Sequence, residues 1–151
     1  MRRYTVNECK VQFPSLSRNE SLSRSAAAAF AMQCDPTVEE IAAIKTAVSE
    51  AVTNAIVHGY RDMNGVVELV MRLYSDNTVY IQIKDKGRGI PDIKQAMEPA
   101  YTTAPADEER SGLGFTVMES FMDKVRVRSA ENRGTAVTME KRLTGKRDDE
   151  R

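Results

Sequence analysis

One stretch indicates how this chain folds: Ser-Glu-Ala-Val-Thr-Asn-Ala-Ile-Val-His-Gly-Tyr, residues 49–60. Apolar residues recur within and before it, mostly three or four apart, at Ile41, Ile44, Val48, Ala51, Val52 and Ala55. That spacing places them on one face of a helix, which must pack against a core. Thr37 and Glu40 have the capping-box spacing that begins a helix, and Gly59 favours its end. The sequence therefore predicts one long helix with a single apolar face.

The polar residues of the same stretch form a second stripe. Glu50, Asn54 and His58 are four residues apart, so successive helical turns carry them on one face. A solvated helix face gives this pattern, with His58 favoured near the negative end of the helix dipole. A ligand-binding face gives the same pattern. The spacing alone leaves both interpretations open.

The segment before the long helix predicts a strand and a first helix. Residues 9–13 alternate between apolar and polar, which is typical of a half-buried strand ending at Pro14. Ser17 and Glu20 repeat the capping-box spacing. Four apolar residues then share one helical face: Leu22, Ala26, Ala29 and Phe30. We expect this face to contact the core and the helix to end before Asp35-Pro36.

The second half of the chain alternates β-rich runs with turn signals. Strands are predicted over residues 66–74, 78–84, 125–129 and 135–141, and a helix over 114–122. The strands are grouped in hairpins and lack a βαβ rhythm, which argues against a Rossmann-type sheet. We predict an α/β (α+β) two-layer sandwich, in which helices cover one face of a mixed, largely antiparallel sheet. Residues 1–143 form one domain, and 144–151 form a charged, flexible tail.

Composition narrows the functional classes. The chain has 151 residues, with 22 Lys and Arg against 22 Asp and Glu, so its formal net charge is +0. No global positive field favours nucleic acid. No apolar run approaches the ~20 residues of a membrane span, and we expect a cytoplasmic protein. The two cysteines, Cys9 and Cys34, lack metal-ligand spacing, so we expect neither zinc nor a disulfide.

Three glycine-containing segments are candidate ligand loops. Asp85-x-Gly87-x-Gly89 follows a strand, and its glycines would let the backbone approach a planar ligand. Residues 110–115, Arg-Ser-Gly-Leu-Gly-Phe, precede a helix, where free N–H groups favour phosphate. Gly134-Thr135 opens the last strand. Each segment taken singly also fits an ordinary turn or helix cap.

The polar stripe of the long helix and these three glycine-containing segments follow one another in a characteristic order. In that order they resemble the motif series of the GHKL ATPases, the superfamily of gyrase, Hsp90, MutL and histidine kinases. Residues 49–60 and 110–123 are most similar to one branch, the anti-sigma F factors of spore-forming bacteria. The resemblance spans nearly the whole chain. It implies the Bergerat (GHKL) ATPase fold and a serine protein kinase.

The resemblance also implies roles for individual residues. Asn54 would hold Mg²⁺, Glu50 would orient or deprotonate the attacking hydroxyl, and Asp85 would accept the adenine amino hydrogen. Arg110 would meet the terminal phosphate as a second catalytic residue. The remaining contacts to ATP would come from His58, Gly87, Gly89, Ile90, Thr103, Ser111, Gly112, Leu113, Gly114 and Thr135. Residues 99–112 would form a lid over the nucleotide.

The partners follow from the same resemblance. The kinase substrate would be a serine of an anti-anti-sigma protein, and the chain, as a homodimer, would bind and inhibit a sporulation RNA polymerase sigma factor (sigma F type). Arg24 lies where this family places a partner-binding arginine, although a solvated helix arginine is an equally good interpretation. Lys86 and Arg88 replace an acidic and an apolar residue of the family pattern, and residues 104–109 depart from its lid pattern. An anti-sigma B type switch and a module that binds ATP without phosphate transfer are the alternatives.

Overall fold

The computed structural model describes residues 2–61, 63–90, 92–93, 97 and 114–145. The elements in chain order are β1 (Thr5–Pro14), α1 (Asn19–Ala31), a 3-10 turn (Met32–Cys34), α2 (Val38–Thr53), a π-helical segment (Asn54–Tyr60), β2 (Val66–Tyr74), β3 (Thr78–Asp85), α3 (Phe115–Phe121), β4 (Lys124–Ala130) and β5 (Gly134–Arg142). The predicted lid over residues 99–112 and the tail beyond residue 145 lie outside the described residues.

The five strands form one sheet in the order β1-β2-β3-β5-β4. Every strand pair of the described chain is antiparallel, which confirms a largely antiparallel sheet and corrects its mixed character. Successive side chains of a strand point to opposite faces of the sheet, so each strand has a buried side and an exposed side. Odd-numbered residues of β2 and β3 are buried beneath the helices, whereas Lys84 and its even-numbered neighbours face the open side. The predicted two-layer sandwich is confirmed.

Helix α2 forms the centre of the helical layer. Its capping box is present: the N–H of Glu40 donates to Thr37 Oγ1 at 3.1 Å, and the N–H of Thr37 donates to Glu40 Oε1 at 2.9 Å. Ile44, Val48 and Val52 are completely buried, as the apolar spacing predicts. Beyond Thr53 the helix widens into the π-helical segment, which no feature of the sequence indicates. This segment carries Asn54 and His58.

Helix α1 differs from the prediction in two ways. Its N-terminus has no side-chain cap, and the carboxylate of Glu20 instead accepts a hydrogen bond from the hydroxyl of Ser49 on α2. The predicted apolar face is also wrong, since Leu22 and Ala29 are exposed. Small residues form the buried face: Ser23, Ala27 and Ala31, with Phe30 beside them. Their small size lets α1 lie close to α2, and packing therefore outweighs hydrophobicity in setting the helix face.

Strand β1 is an edge strand, which explains why it is less buried than predicted. It pairs only with β2 in the described sheet, and along its length only Phe13 is buried. Cys9 is an exposed free thiol, whereas Cys34, on the 3-10 turn, is buried. No helix among the described residues is long and apolar enough to cross a membrane.

Candidate functional site

Asp85 ends β3 and points into the space between sheet and helices. Only 8% of its surface is exposed. The N–H of Gly87 donates to Asp85 Oδ1 at 2.9 Å. Gly59, in the π-helical segment, lies directly against the carboxylate, because a Cβ at that position would be 2.8 Å from Oδ1. The glycine predicted only as a helix end therefore makes room for a buried acid.

The environment of Asp85 changes its acidity. Burial raises the pKa of this carboxyl to about 6, because it disfavours the charged form, and the N–H groups of Gly87 and Thr135 partly offset this effect. Asp85 is therefore ionised at neutral pH and becomes neutral in mildly acid solution. A buried acid with a raised pKa beside a pocket is typical of functional sites.

The loop after β3 is fastened to the π-helical segment. The N–H of Arg88 donates to Gly59 O at 2.8 Å, and Arg88 Nε donates to His58 O at 2.9 Å. Gly87 permits this contact, since a Cβ there would overlap Gly59 O. Gly89 has φ +77° and lies against Ala130 O, where a side chain is excluded. The two glycines thus fix the loop against two different elements.

The β4–β5 hairpin closes the other side of the site. Thr135 pairs with Asp85 across β5 and β3, and its hydroxyl is 2.8 Å from Ser129 Oγ. Ser129 Oγ also accepts the N–H of Ile90 at 2.7 Å. Sequence reasoning missed Ser129, although its inward position in the alternation of β4 was a usable signal. Ser129 joins the Asp85 loop to the last strand.

These elements enclose one pocket between the helices and the sheet. Asn54 and His58, 9% and 6% exposed, lie on its helical wall. The predicted residues that line it are Asn54, His58, Asp85, Gly89, Ile90 and Thr135. Arg88, a departure from the family pattern beside Gly87, also lines it, and Phe115 is among the lining residues that sequence reasoning missed. Gly87 does not line the pocket. It contributes by letting the loop after β3 lie against Gly59. The pocket volume is about 20 Å³, room for about one water molecule.

Glu50 lies on α2, one turn before Asn54, and is half-buried. Gly114, the residue before α3, has φ +72°, and a Cβ at that position would overlap Glu50 Oε2. The glycine that the sequence places before a helix therefore contacts the acidic residue of α2. These two predicted site residues, distant in sequence, are neighbours in the fold.

A surface groove between α1 and α2 also reaches Glu50. Arg24 lies on α1 with 39% of its side chain exposed, and its Nη1 is 3.5 Å from Glu20 Oε1. Arg24, Ser49 and Glu50 line this groove together with Lys45 and Thr46. A macromolecule held at Arg24 would thus lie next to the carboxylate of Glu50.

Five predicted site residues lie outside the described residues: Thr103, Arg110, Ser111, Gly112 and Leu113. Their roles stay predictions. Among the residues that the structure describes, no three His, Cys, Asp or Glu side chains cluster as metal ligands. A metal held through one protein amide and the oxygens of a nucleotide needs no such cluster.

Comparison with known proteins identifies the chain. The histidine kinase-like ATPase domain family matches residues 13–141. The anti-sigma F factor of Clostridium novyi (strain NT) is 54% identical over 138 residues, covering 91% of this chain and 95% of that protein. The chain belongs to the anti-sigma F factor family. The anti-sigma F factor of Geobacillus kaustophilus (strain HTA426) is 51% identical, with 91% and 93% covered.

Solved structures agree on the fold of this anti-sigma F factor family member. The RsbU and RsbW domains of Rv1364c from Mycobacterium tuberculosis superpose with a TM-score of 0.64 at 21% identity, over 91% of this chain and 32% of that one. The catalytic domain of the histidine kinase ThkA superposes with a TM-score of 0.54 at 15% identity, over 87% and 96%. The Bergerat (GHKL) ATPase fold is confirmed, and the ATPase domain family implies that the chain binds ATP.

Proposed function

We propose that the chain is an ATP-dependent serine protein kinase that phosphorylates an anti-anti-sigma protein and, as an anti-sigma factor, binds and inhibits a sporulation sigma factor (sigma F type). One observation carries the proposal. The carboxylate of Glu50 lies between the nucleotide wall that begins at Asn54 and the surface groove at Arg24. This position supports a role for Glu50 as the proton acceptor between a protein substrate and the terminal phosphate.

The hydrogen-bonding capacity of Asp85 fits the adenine end of ATP. The Asp85 carboxylate accepts the N–H groups of Gly87 and Thr135. A carboxylate has about four acceptor positions, so it retains capacity for the adenine amino group. Guanine carries a carbonyl oxygen at the corresponding position, and two acceptors would then face each other in a pocket shielded from water. We infer that the site selects ATP over GTP.

The phosphate end requires positioning and charge neutralisation more than covalent chemistry. Asn54, with its amide buried at the pocket wall, would hold Mg²⁺, which neutralises phosphate charge when bound. Glu50 takes the proton from the substrate serine hydroxyl. The serine oxygen then forms a bond to the terminal phosphorus, the bond to the bridging oxygen breaks, and ADP leaves with that electron pair. Glu50 is therefore the general base of the proposal.

Partner binding rests on Arg24 and its groove. The guanidinium is solvent-accessible and only weakly held by Glu20 at 3.5 Å, so a partner carboxylate can replace that contact. The sigma factor and the anti-anti-sigma protein would meet overlapping surfaces here. A dimer of this chain would present two such surfaces.

The experiment is phosphate transfer from labelled ATP to the purified anti-anti-sigma protein with Mg²⁺, followed by identification of the labelled amino acid. We expect phosphoserine with the wild type and a loss of about 10²–10⁴ in rate for Glu50→Gln, with ATP and the sigma factor still bound. Glu39→Gln is the matched control, because Glu39 is an exposed acid on the same helix. Wild-type protein that binds ATP but labels no partner would favour the ATP-binding module without transfer. Near wild-type transfer by Glu50→Gln would refute the role of Glu50.

The choice between sporulation and stress-response partners needs a binding test. Titration of the chain with a sigma F type factor and, separately, with a sigma B type factor compares the two directly. We expect the sigma F type factor to bind more tightly, since the curated relatives named above are anti-sigma F factors at 51% and 54% identity. Preference for the sigma B type factor would assign the chain to the anti-sigma B type switch.

A further inference from the structure

The open face of the sheet carries a cluster of basic side chains that the proposed kinase reaction does not use. Its members lie on or beside the half of the sheet built from β3, β5 and β4. All six are exposed: Lys84, Lys86, Lys124, Arg126, Arg128 and Arg133. None of them forms an ion pair within 4.0 Å with a described carboxylate, whereas Arg72 and Arg3, nearer the β1 edge of this face, pair with Glu8 and Glu140. The chain is neutral overall, so this charge is local.

Strand register explains how the cluster makes a trough. Lys84 on β3 and Arg128 on β4 are both direct partners of Ala136 on the intervening strand β5. Directly paired residues project to the same side of a sheet, and strands are about 4.8 Å apart. Two long cations therefore stand about two strand spacings apart, with a methyl group between them. An anionic group can enter between the two.

A cavity of about 1030 Å³ opens at this trough. Lys84, Lys86, Arg128 and Arg133 line it. Its apolar lining comes from Tyr60, Met63, Val66, Ala130 and Ala136. Two acidic residues also line the cavity: Asp85, which is buried, and Glu68, the cross-strand partner of Lys84, which accepts the amide of Gln12 at 2.9 Å. The four cations outnumber them. The cavity thus combines a positive rim with an apolar floor.

Strand β4 adds a second property, because it is an edge of the described sheet. No other described strand pairs with its outward N–H and C=O groups, so an extended segment can add there, as in recognition by strand addition. Lys124, Arg126 and Arg128 alternate along this edge with inward-facing Val125 and Val127. A strand added there would place every second side chain opposite a cation.

We propose that this surface is a docking site for an extended acidic segment of a protein partner, which pairs with the β4 edge and inserts an apolar side chain into the cavity. The apolar floor and the available strand edge favour a polypeptide over a phosphate backbone, for which cations alone suffice. The basic trough lies on the sheet face opposite the helices that cover the nucleotide pocket, and the cavity also reaches Asp85 and Thr135 of that pocket. A partner bound here leaves the groove at Arg24 accessible.

The test is selection from a phage-displayed library of random 12-residue peptides on the full-length chain, followed by fluorescence anisotropy with the synthesised peptides. We expect acidic sequences with at least one large apolar residue, and affinity that falls as salt rises. Lys84→Glu/Arg128→Glu should weaken binding by about tenfold or more, because like charges then face each other. The matched control, Lys10→Glu/Arg142→Glu, makes the same charge change at exposed positions of the same face and should bind normally.

Melting temperature and ATP affinity of each variant show that the fold and the nucleotide site are intact. Should the double variant fail to fold, Arg133→Glu in the β4–β5 turn provides the same comparison. Selected peptides without acidic bias, or equal affinity for both double variants, would overturn the proposal. Tighter binding of a labelled 12-nucleotide RNA that is lost in Lys84→Glu/Arg128→Glu would overturn it in favour of nucleic acid. If neither probe binds, the proposal is also overturned. The cations would then serve to protect the sheet edge against unwanted strand pairing.

Discussion

The affinity for ATP should fall in mildly acid solution, because Asp85 must be ionised to accept the adenine amino group. Burial raises the pKa of this carboxyl to about 6. When one acid must be ionised for binding, the dissociation constant rises by the factor 1 + 10^(pKa − pH), which is about twofold at pH 6 and about elevenfold at pH 5. An aspartate with an ordinary pKa of ~3.9 would change the affinity by less than about a tenth over the same range.

The assay is a titration of ATP against wild-type protein and Asp85→Asn at fixed Mg²⁺, from pH 5 to pH 8. The phosphates of ATP also titrate in this range, so the informative quantity is the ratio of the two dissociation constants at each pH. We expect the advantage of the wild type to shrink by about tenfold between neutral pH and pH 5, because the amide does not titrate. Circular dichroism at each pH verifies that both proteins stay folded. A ratio that is constant with pH would refute the role of the Asp85 charge in reading the base.

Four further outcomes are expected. GTP should bind about 30- to 1000-fold more weakly than ATP in a competition titration, and Asp85→Asn should narrow that gap. Asp85→Asn should also be more stable than the wild type at pH 7.5, by up to about 3 kcal/mol in urea unfolding. The pKa of Asp85 is raised from ~3.9 in the unfolded chain to about 6 in the folded protein. The stability that this carboxyl contributes is therefore fully present below pH ~4 and is lost as the pH rises through 6. Gly114→Ala should cost about 1–2 kcal/mol of unfolding free energy, since φ is +72° there, and should slow phosphate transfer by displacing Glu50. Arg24→Glu should weaken binding of both protein partners in titrations and leave ATP affinity unchanged. Each interpretation would be contradicted by one result. These results are equal affinity for ATP and GTP, lower stability of Asp85→Asn, wild-type stability and transfer rate in Gly114→Ala, and normal partner binding by Arg24→Glu.

Sequence alone predicted the elements whose signal is local. The Thr37/Glu40 capping box and the apolar stripe of α2 agree with the structure because both act within a few residues. The same spacing at Ser17 and Glu20 failed, since the carboxylate of Glu20 has a competing partner in Ser49, 29 residues away. No local pattern reports that competition. The buried face of α1 was missed for a similar reason, because its small residues are selected by the closeness of α2.

The candidate site shows the same division. Asp85, Asn54, Gly89 and Thr135 were predicted as a set, and the structure brings them to one pocket. Most contacts that hold the pocket together were not predicted, because they join segments distant in the chain: Gly59 to Asp85, Arg88 to His58, and Ser129 to Ile90. Gly59 shows most clearly why such contacts are hard to predict. In the structure, its missing side chain leaves room for a buried carboxylate, whereas its sequence context indicates only a helix end.

The two faces of the sheet differ in what their sequence can specify. On the helical face, burial and the close approach of glycine backbones restrict each position, so residues such as Asp85 can be singled out as candidates from residue type and order. On the open face, a lysine or arginine costs little and is tolerated for many reasons. Its meaning appears only when the register shows Lys84 and Arg128 flanking Ala136, with no described carboxylate within ion-pair distance of either, although Glu68 is the cross-strand partner of Lys84. A surface that binds a partner is therefore recognised by which charges lack an internal partner, and that property belongs to the fold as a whole.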